Sequence, residues 1–300
     1  FDDCGLVIQA ENTRFRVSRD FLAAHSAVFQ DMLSIPVPAD AETREGCPVV
    51  RLPDNIADVI VLLKALLYYE SHGFFEPPPA QTSFQIIVGV LRMSHKYEVD
   101  ALRKRALAHL SALHPTTLHD WEYMDDDSCE WLQKVLDEEG GIPLIILARQ
   151  LSLDWILPAA FYRVCKHAQA DRIIQDPNMH TEDKIHCVSA ARVFETRDNA
   201  WVLDFLWSPT HIDGCAAARV CPKLRLERRR DAEERRAVWL KVPVKLPLDI
   251  WAGMIGMTCI GARESGIHQA AKQRFWNSLP SQFGLPSWVD LEALKAEAFQ

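Results

Sequence analysis

Val17-Ser18-Arg19-Asp20-Phe21-Leu22-Ala23-Ala24-His25-Ser26-Ala27-Val28-Phe29-Gln30-Asp31-Met32-Leu33 sets the architecture of the first third of the chain. Ser18 is placed to cap a helix, with Phe21 and Leu22 on one face of its first turn. Ser26 caps a second short helix, in which Val28, Phe29, Met32 and Leu33 recur at i, i+1, i+4 and i+5. This spacing predicts that Phe29 and Met32 are buried. Two short helices with one apolar face each cannot bury those faces alone. Upstream, Gly5 to Ala10 and Thr13 to Val17 read as two strands. The second alternates polar and apolar residues, and Glu11-Asn12 supplies a two-residue turn between them.

Two later runs extend the pattern. Pro48-Val49-Val50-Arg51-Leu52-Pro53-Asp54 reads as a third strand and a turn into a helix. Leu91-Arg92-Met93-Ser94-His95-Lys96-Tyr97-Glu98-Val99-Asp100-Ala101-Leu102-Arg103 reads as a helix pair. Together with the opening hairpin and helices, these segments resemble the BTB/POZ domain over roughly the first 115 residues. The run Gly46-Cys47-Pro48-Val49-Val50 is similar to fungal members. Ser18 is a departure, since many members have His there, and that His's role does not carry over.

The resemblance implies a small sheet clamped by helices, an α/β unit. It also implies a protein–protein interaction module that self-associates or recruits a partner, typically through its first helix and edge strands. Leu6 and Ile8 on a short, outer first strand, with Arg19 and Asp20 in the first helical turn, are the candidate interaction residues. A homodimer is the expected state. A substrate adaptor for a cullin-type ubiquitin ligase is a second reading. Such adaptors tend to carry an apolar-x-Glu step after the helix ending here at Met32-Leu33, and Ser34-Ile35-Pro36-Val37-Pro38 lacks it.

At 300 residues, 48% hydrophobic and 25% charged, the composition is that of a globular protein of one large or two ordinary domains. No apolar run reaches the ~18 residues of a membrane helix; Leu144-Ile145-Ile146-Leu147 ends too soon. The chain begins at Phe1 without Met, so an upstream segment is expected. Residues 1–150 carry 13 Lys and Arg against 23 Asp and Glu, whereas 151–300 carry 20 against 18. The acidic first half disfavours nucleic acid. Cysteines at 4, 47, 129, 165, 187, 215, 221 and 259 form no Cys-x-x-Cys, and no Asn-x-Ser/Thr sequon occurs. Free buried thiols in a reducing cytoplasmic or nuclear setting are expected.

The pattern predicts a Pro-rich, acidic, exposed loop over 34–46 and a buried helix capped by Asn55, using Val59, Ile60, Leu62, Leu63, Leu66 and Leu67. A break follows over 71–82, then a helix capped by Ser83 and a last helix over 99–113. Residues 116–175 read as a connector containing a short helix, then a helical hairpin opened by Pro143 and Pro158. By its position this hairpin resembles the BACK-like extension of many BTB proteins. Residues 176–300 read as mainly helical: 185–195, 199–207, 224–241 and 248–258. An irregular, aromatic-rich segment is expected over 274–288.

No phosphate-binding glycine loop, nucleophile elbow or His-Glu-x-x-His occurs, so no catalytic, cofactor or metal residue is assigned. His180-Thr181-Glu182 imitates half of a zinc deaminase motif, without its Cys-x-x-Cys; a solvated carboxylate at a helix start explains it better. The basic run 223–236 interleaves Glu227, Asp231, Glu233 and Glu234 and holds no aromatic, as a self-paired surface helix would. Cys215 and Cys221 lie too far apart for a zinc knuckle, with Cys187, Cys259 and His268 as remote companions. An enzyme or metal site in the C-terminal half is the remaining alternative, recognisable by a concavity with clustered His, Cys and carboxylates.

Overall fold

A computed structural model of the chain describes residues 5–38, 40–67, 74–80, 82–124, 141–167, 170–195, 219–223, 226 and 267–300. The predicted helices over 199–207, 224–241 and 248–258 lie outside these, apart from Leu226. The chain divides into two compact units, one ending at Leu113 and one beginning at His114.

In the first unit, β1 (Leu6–Ala10) and β2 (Thr13–Val17) form the expected antiparallel hairpin. Glu11 occupies its turn at φ 49°, and the Glu11 carboxylate accepts a hydrogen bond from the Ile56 N–H at 3.2 Å. α1 (Arg19–His25) and α2 (Ala27–Ser34) follow, each capped as the sequence indicates. Ser18 Oγ accepts the Phe21 N–H at 3.2 Å, and Ser26 Oγ accepts the Phe29 N–H at 3.0 Å. These two helices are a crossover that returns the chain to the sheet as β4 (Cys47–Leu52), parallel to β1.

The sheet order is β2-β1-β4-β3, with β3 (Thr43–Arg44) antiparallel to β4. Two expectations are corrected here. The loop over 34–46 ends in a strand, because Glu45 (φ 50°) and Gly46 (φ 78°) close a tight hairpin back onto Cys47. The first strand is not an outer one: hydrogen bonding to β2 on one side and β4 on the other makes β1 an inner strand. Leu6 and Ile8 are therefore core residues, each 0% exposed.

Three helices complete the unit: α3 (Ile56–Leu67), α4 (Phe84–Lys96) and α5 (Asp100–Leu113). Asn55 Oδ1 accepts the Ala57 N–H at 2.8 Å, and Ser83 Oγ the Ile86 N–H at 3.3 Å, capping α3 and α4. Val59, Leu62, Leu63 and Leu66 of α3 pack inward, whereas Leu67 reaches solvent. In α2, Phe29 is fully buried, but Met32 is only half-buried and Leu33 takes the inward position. Arg105 and His109 of α5 reach the backbone carbonyls of Phe75 and Glu76, both at 2.7 Å, pinning 74–80 to the helix.

The second unit begins with α6 (Leu118–Met124), then α7 (Gly141–Gln150) and α8 (Leu157–His167), joined through a 3₁₀ turn at Asp154–Ile156. α9 (Ala170–Gln175) and α10 (Thr181–Glu195) follow. The expected irregular segment over 274–288 is mostly helix instead. α11 (Ile267–Gln282) contains Pro280, and only 283–287 separates it from α12 (Trp288–Ala298). The aromatic anchoring is present in another form, as a cluster within the helices. Trp121 lies 5.3 Å from Trp276 and 5.6 Å from Tyr162, and Trp276 stacks on Trp288 at 5.2 Å. The Trp276 indole N–H donates to the Thr116 carbonyl and that of Trp288 to the Trp276 carbonyl, so burial leaves neither donor unmet.

Candidate functional site

Each candidate interaction residue is judged by where its fold element places it. Leu6 and Ile8 fail that test, being sealed inside the sheet. Arg19 turns across to α2, and its guanidinium donates to the Leu33 carbonyl. That bond satisfies one of the orphan carbonyls at the end of α2 and places a positive charge at the negative end of the helix. Arg19 is thus a capping residue that ties the start of α1 to the exit of α2. Asp20, beside it, is exposed.

Two large apolar side chains lie exposed just past this tie. Ile35 is 65% exposed and Val37 50% exposed, in the Ile35-Pro36-Val37-Pro38 run that leaves α2. On α1, Phe21 is half-buried and its ring lies 4.3 Å from that of His25. From the sequence this run is expected only as part of an exposed loop, without a docking role for Ile35 or Val37. The signal that could have marked it was two β-branched residues, Ile35 and Val37, each followed by a proline and so outside any helix or strand that would bury them.

Beneath α2, Phe29, Tyr97, Ser26, Asp54 and Lys96 form one connected group. Phe29 and Tyr97 stack with centroids 4.8 Å apart. Ser26 Oγ donates to the Tyr97 carbonyl at 2.5 Å while capping α2. The Tyr97 hydroxyl donates to Asp54 at 2.5 Å, and Lys96 reaches the same carboxylate at 2.5 Å. Burial and the adjacent carboxylate both hold the Tyr97 hydroxyl protonated, well above the usual tyrosine range. This group fixes α2 against the end of α4.

The solvent face of the sheet is charged. Arg14 and Arg16 of β2, Arg44 of β3 and Arg51 of β4 are 41 to 68% exposed. Glu42 meets three of them, Arg51 at 2.6 Å, Arg44 at 3.4 Å and Arg14 at 3.7 Å, and Glu45 meets Arg16 at 3.2 Å. The hydrogen bond from Arg51, with support from Arg44, holds the Glu42 carboxyl below its ordinary range. These arginines were not singled out from sequence, because the first half reads as acidic by count.

In the second unit, a cavity of about 580 Å³ is lined by Arg149, His180, Thr181, Glu182, Asp183 and His186, with Gly284 at its wall. It is the kind of concavity an enzyme would need, and two of its charged groups, Arg149 and Asp183, are paired with each other. Arg149 holds the buried Asp183 at 2.8 Å and Asp154 at 3.2 Å. Glu182 sits exposed in the first turn of α10. Cys165 and Cys187 are buried thiols, and the Cys165 thiol donates to the Cys187 carbonyl at 3.3 Å. Contact with Cys165, then burial, pushes the Cys187 thiol upward, away from the thiolate a metal requires. Among the described residues no group of three His, Cys, Asp or Glu is placed to hold a metal ion. Cys215 and Cys259 lie outside the described residues. No described helix is long and apolar enough to cross a membrane.

The hairpin, the helical crossover to a parallel strand and the three following helices coincide with a family match. A family model described as BTB/POZ domain matches residues 2–113. No curated protein and no solved structure gives a significant match to the chain. Residues 2–113 are a BTB/POZ domain.

Proposed function

We propose that this chain acts without catalysis, by self-association of its BTB/POZ domain through the α1 surface and the loop that leaves α2. A BTB/POZ domain is a protein–protein interaction module. The observation that carries the reading is the exposure of Ile35 and Val37 beside the Arg19 tie. Burying an apolar side chain of this size is worth about 1.5–3 kcal/mol. Two such residues from each of two copies give a docking surface a strong incentive to close.

The cullin-adaptor reading is less well supported, since the same loop presents no acidic residue between Ser34 and Pro38. The helices over 141–167 follow the domain in sequence, where a BACK-like extension would stand. The double variant Ile35→Asp, Val37→Asp tests the proposal. Both positions are solvent-facing, so the fold should hold while the assembly falls to a monomer. A variant that self-associates as strongly as the parent contradicts the assignment of this surface.

A further inference from the structure

The outer strand of the sheet is β2, and its sequence Thr13-Arg14-Phe15-Arg16-Val17 gives it two unlike faces. Arg14 and Arg16 stand on the solvent face, while Phe15 lies half-buried on the face toward the helices. β2 pairs with β1 on one side; no described residue bonds its other backbone edge. An open edge of this kind is a template for one more strand.

What could occupy it is limited by charge. Two copies meeting edge to edge about a two-fold axis centred on Phe15 would set Arg14 of each against Arg16 of the other, and like charges directly opposite are destabilising. The edge is therefore guarded against a second copy and open to an acidic strand. Each guanidinium offers five N–H donors in a fork that matches a carboxylate. Arg14 also donates through Nε to Gln9 Oε1 at 2.9 Å, and it shares Glu42 with Arg44 and Arg51, while Glu45 serves Arg16; the Arg14 and Arg16 side chains still stay 44% and 41% exposed, with N–H groups left over from those bonds. The alternation of β2 also sets the partner's pattern. Residues opposite Arg14 and Arg16 should be acidic, and residues opposite Phe15 apolar, at the two-residue period of a strand.

We infer that the outer edge of β2 takes an extended peptide alternating acidic and apolar residues, added as a fifth strand with its carboxylates over Arg14 and Arg16. This rests on reading the domain as an interaction module, but uses a different element, the outer edge of β2, from the α1 and Ile35–Val37 region. Recruitment through β2 and self-association through α1 can then operate in one domain.

The test uses the full chain and a labelled peptide alternating Glu and Val, about eight residues long to span a strand, with binding followed by fluorescence anisotropy. The parent should bind it, and the Arg14→Glu, Arg16→Glu variant should bind it at least tenfold more weakly. That variant should instead gain at least tenfold for a Lys and Val peptide, a reversal that a misfolded variant cannot give. Backbone N-methylation of the Glu and Val peptide on alternate residues should abolish binding, since strand addition requires its N–H groups. Equal binding by parent and variant, or by methylated and plain peptides, overturns the inference, as does a DNA duplex binding more tightly than the peptide. Light scattering on the same charge-reversed variant separates the two surfaces: loss of peptide binding with self-association unchanged is the expected pair of results.

Discussion

Phe29 and Tyr97 lie in near-parallel stack, 4.8 Å between centroids and 6° between planes, joining the second helix to the end of the fourth. Both are buried, and the Ser26 hydroxyl binds the Tyr97 backbone while capping the helix that carries Phe29. Phe29→Ala removes the ring at the centre of this arrangement. Core truncations of this size cost about 3–5 kcal/mol, a large share of a domain's stability. The variant's first domain should be unfolded or poorly soluble. A melting temperature within a few degrees of the parent contradicts that placement.

Arg19 separates a capping role from a docking role. Arg19→Met keeps the apolar stem and removes the donor to the Leu33 carbonyl. The expected loss is about 1–2 kcal/mol, read from the denaturant midpoint, with self-association of the folded protein retained. Unchanged stability with lost self-association would return Arg19 to the interface.

His109 makes the first domain sensitive to acid. It is buried, and burial is the main cause holding its folded pKa below the ordinary histidine value, despite its bond to the Glu76 carbonyl. The unfolded chain therefore takes up this proton at a higher pH than the folded one. Stability is fully present above the unfolded value of about 6.5 and falls as pH drops from there toward the folded value. His109→Gln should flatten the decline in melting temperature over that window. An unaltered decline would show that other groups carry it.

Chelation should leave the second unit's melting unchanged, and metal analysis should find no stoichiometric zinc. Cys187 is a buried thiol with its pKa raised by Cys165 and by burial, the opposite of a zinc-bound thiolate. One equivalent of zinc in protein purified without added metal, lost in Cys221→Ser, contradicts this expectation.

What was legible in the sequence was local. Ser18, Ser26, Asn55 and Ser83 announce their helices because a cap is written within three residues of the bond it makes. The strand order was not legible. β1 becomes an inner strand only through parallel pairing with β4, some forty residues later, and no local pattern records that partner. The error over Leu6 and Ile8 followed from it. The Arg14, Arg16, Arg44 and Arg51 face escaped for the same reason, since residues spread over three strands become neighbours only once the sheet forms. At the C-terminal end, Pro280 and Gly284 read as irregular chain. Burial of Phe275, Trp276 and Leu279 within α11, and of Phe283 just beyond it, outweighs the break that proline signals.

The most direct test of the interaction reading is the mass of the full chain in solution, by size-exclusion chromatography with light scattering over a range of concentrations. Self-association through α1 and the Ile35–Val37 loop predicts a particle approaching twice the 34.1 kDa chain mass as concentration rises. It also predicts return to the single-chain mass in the Ile35→Asp, Val37→Asp variant. A parent that stays at 34.1 kDa at every concentration contradicts the account.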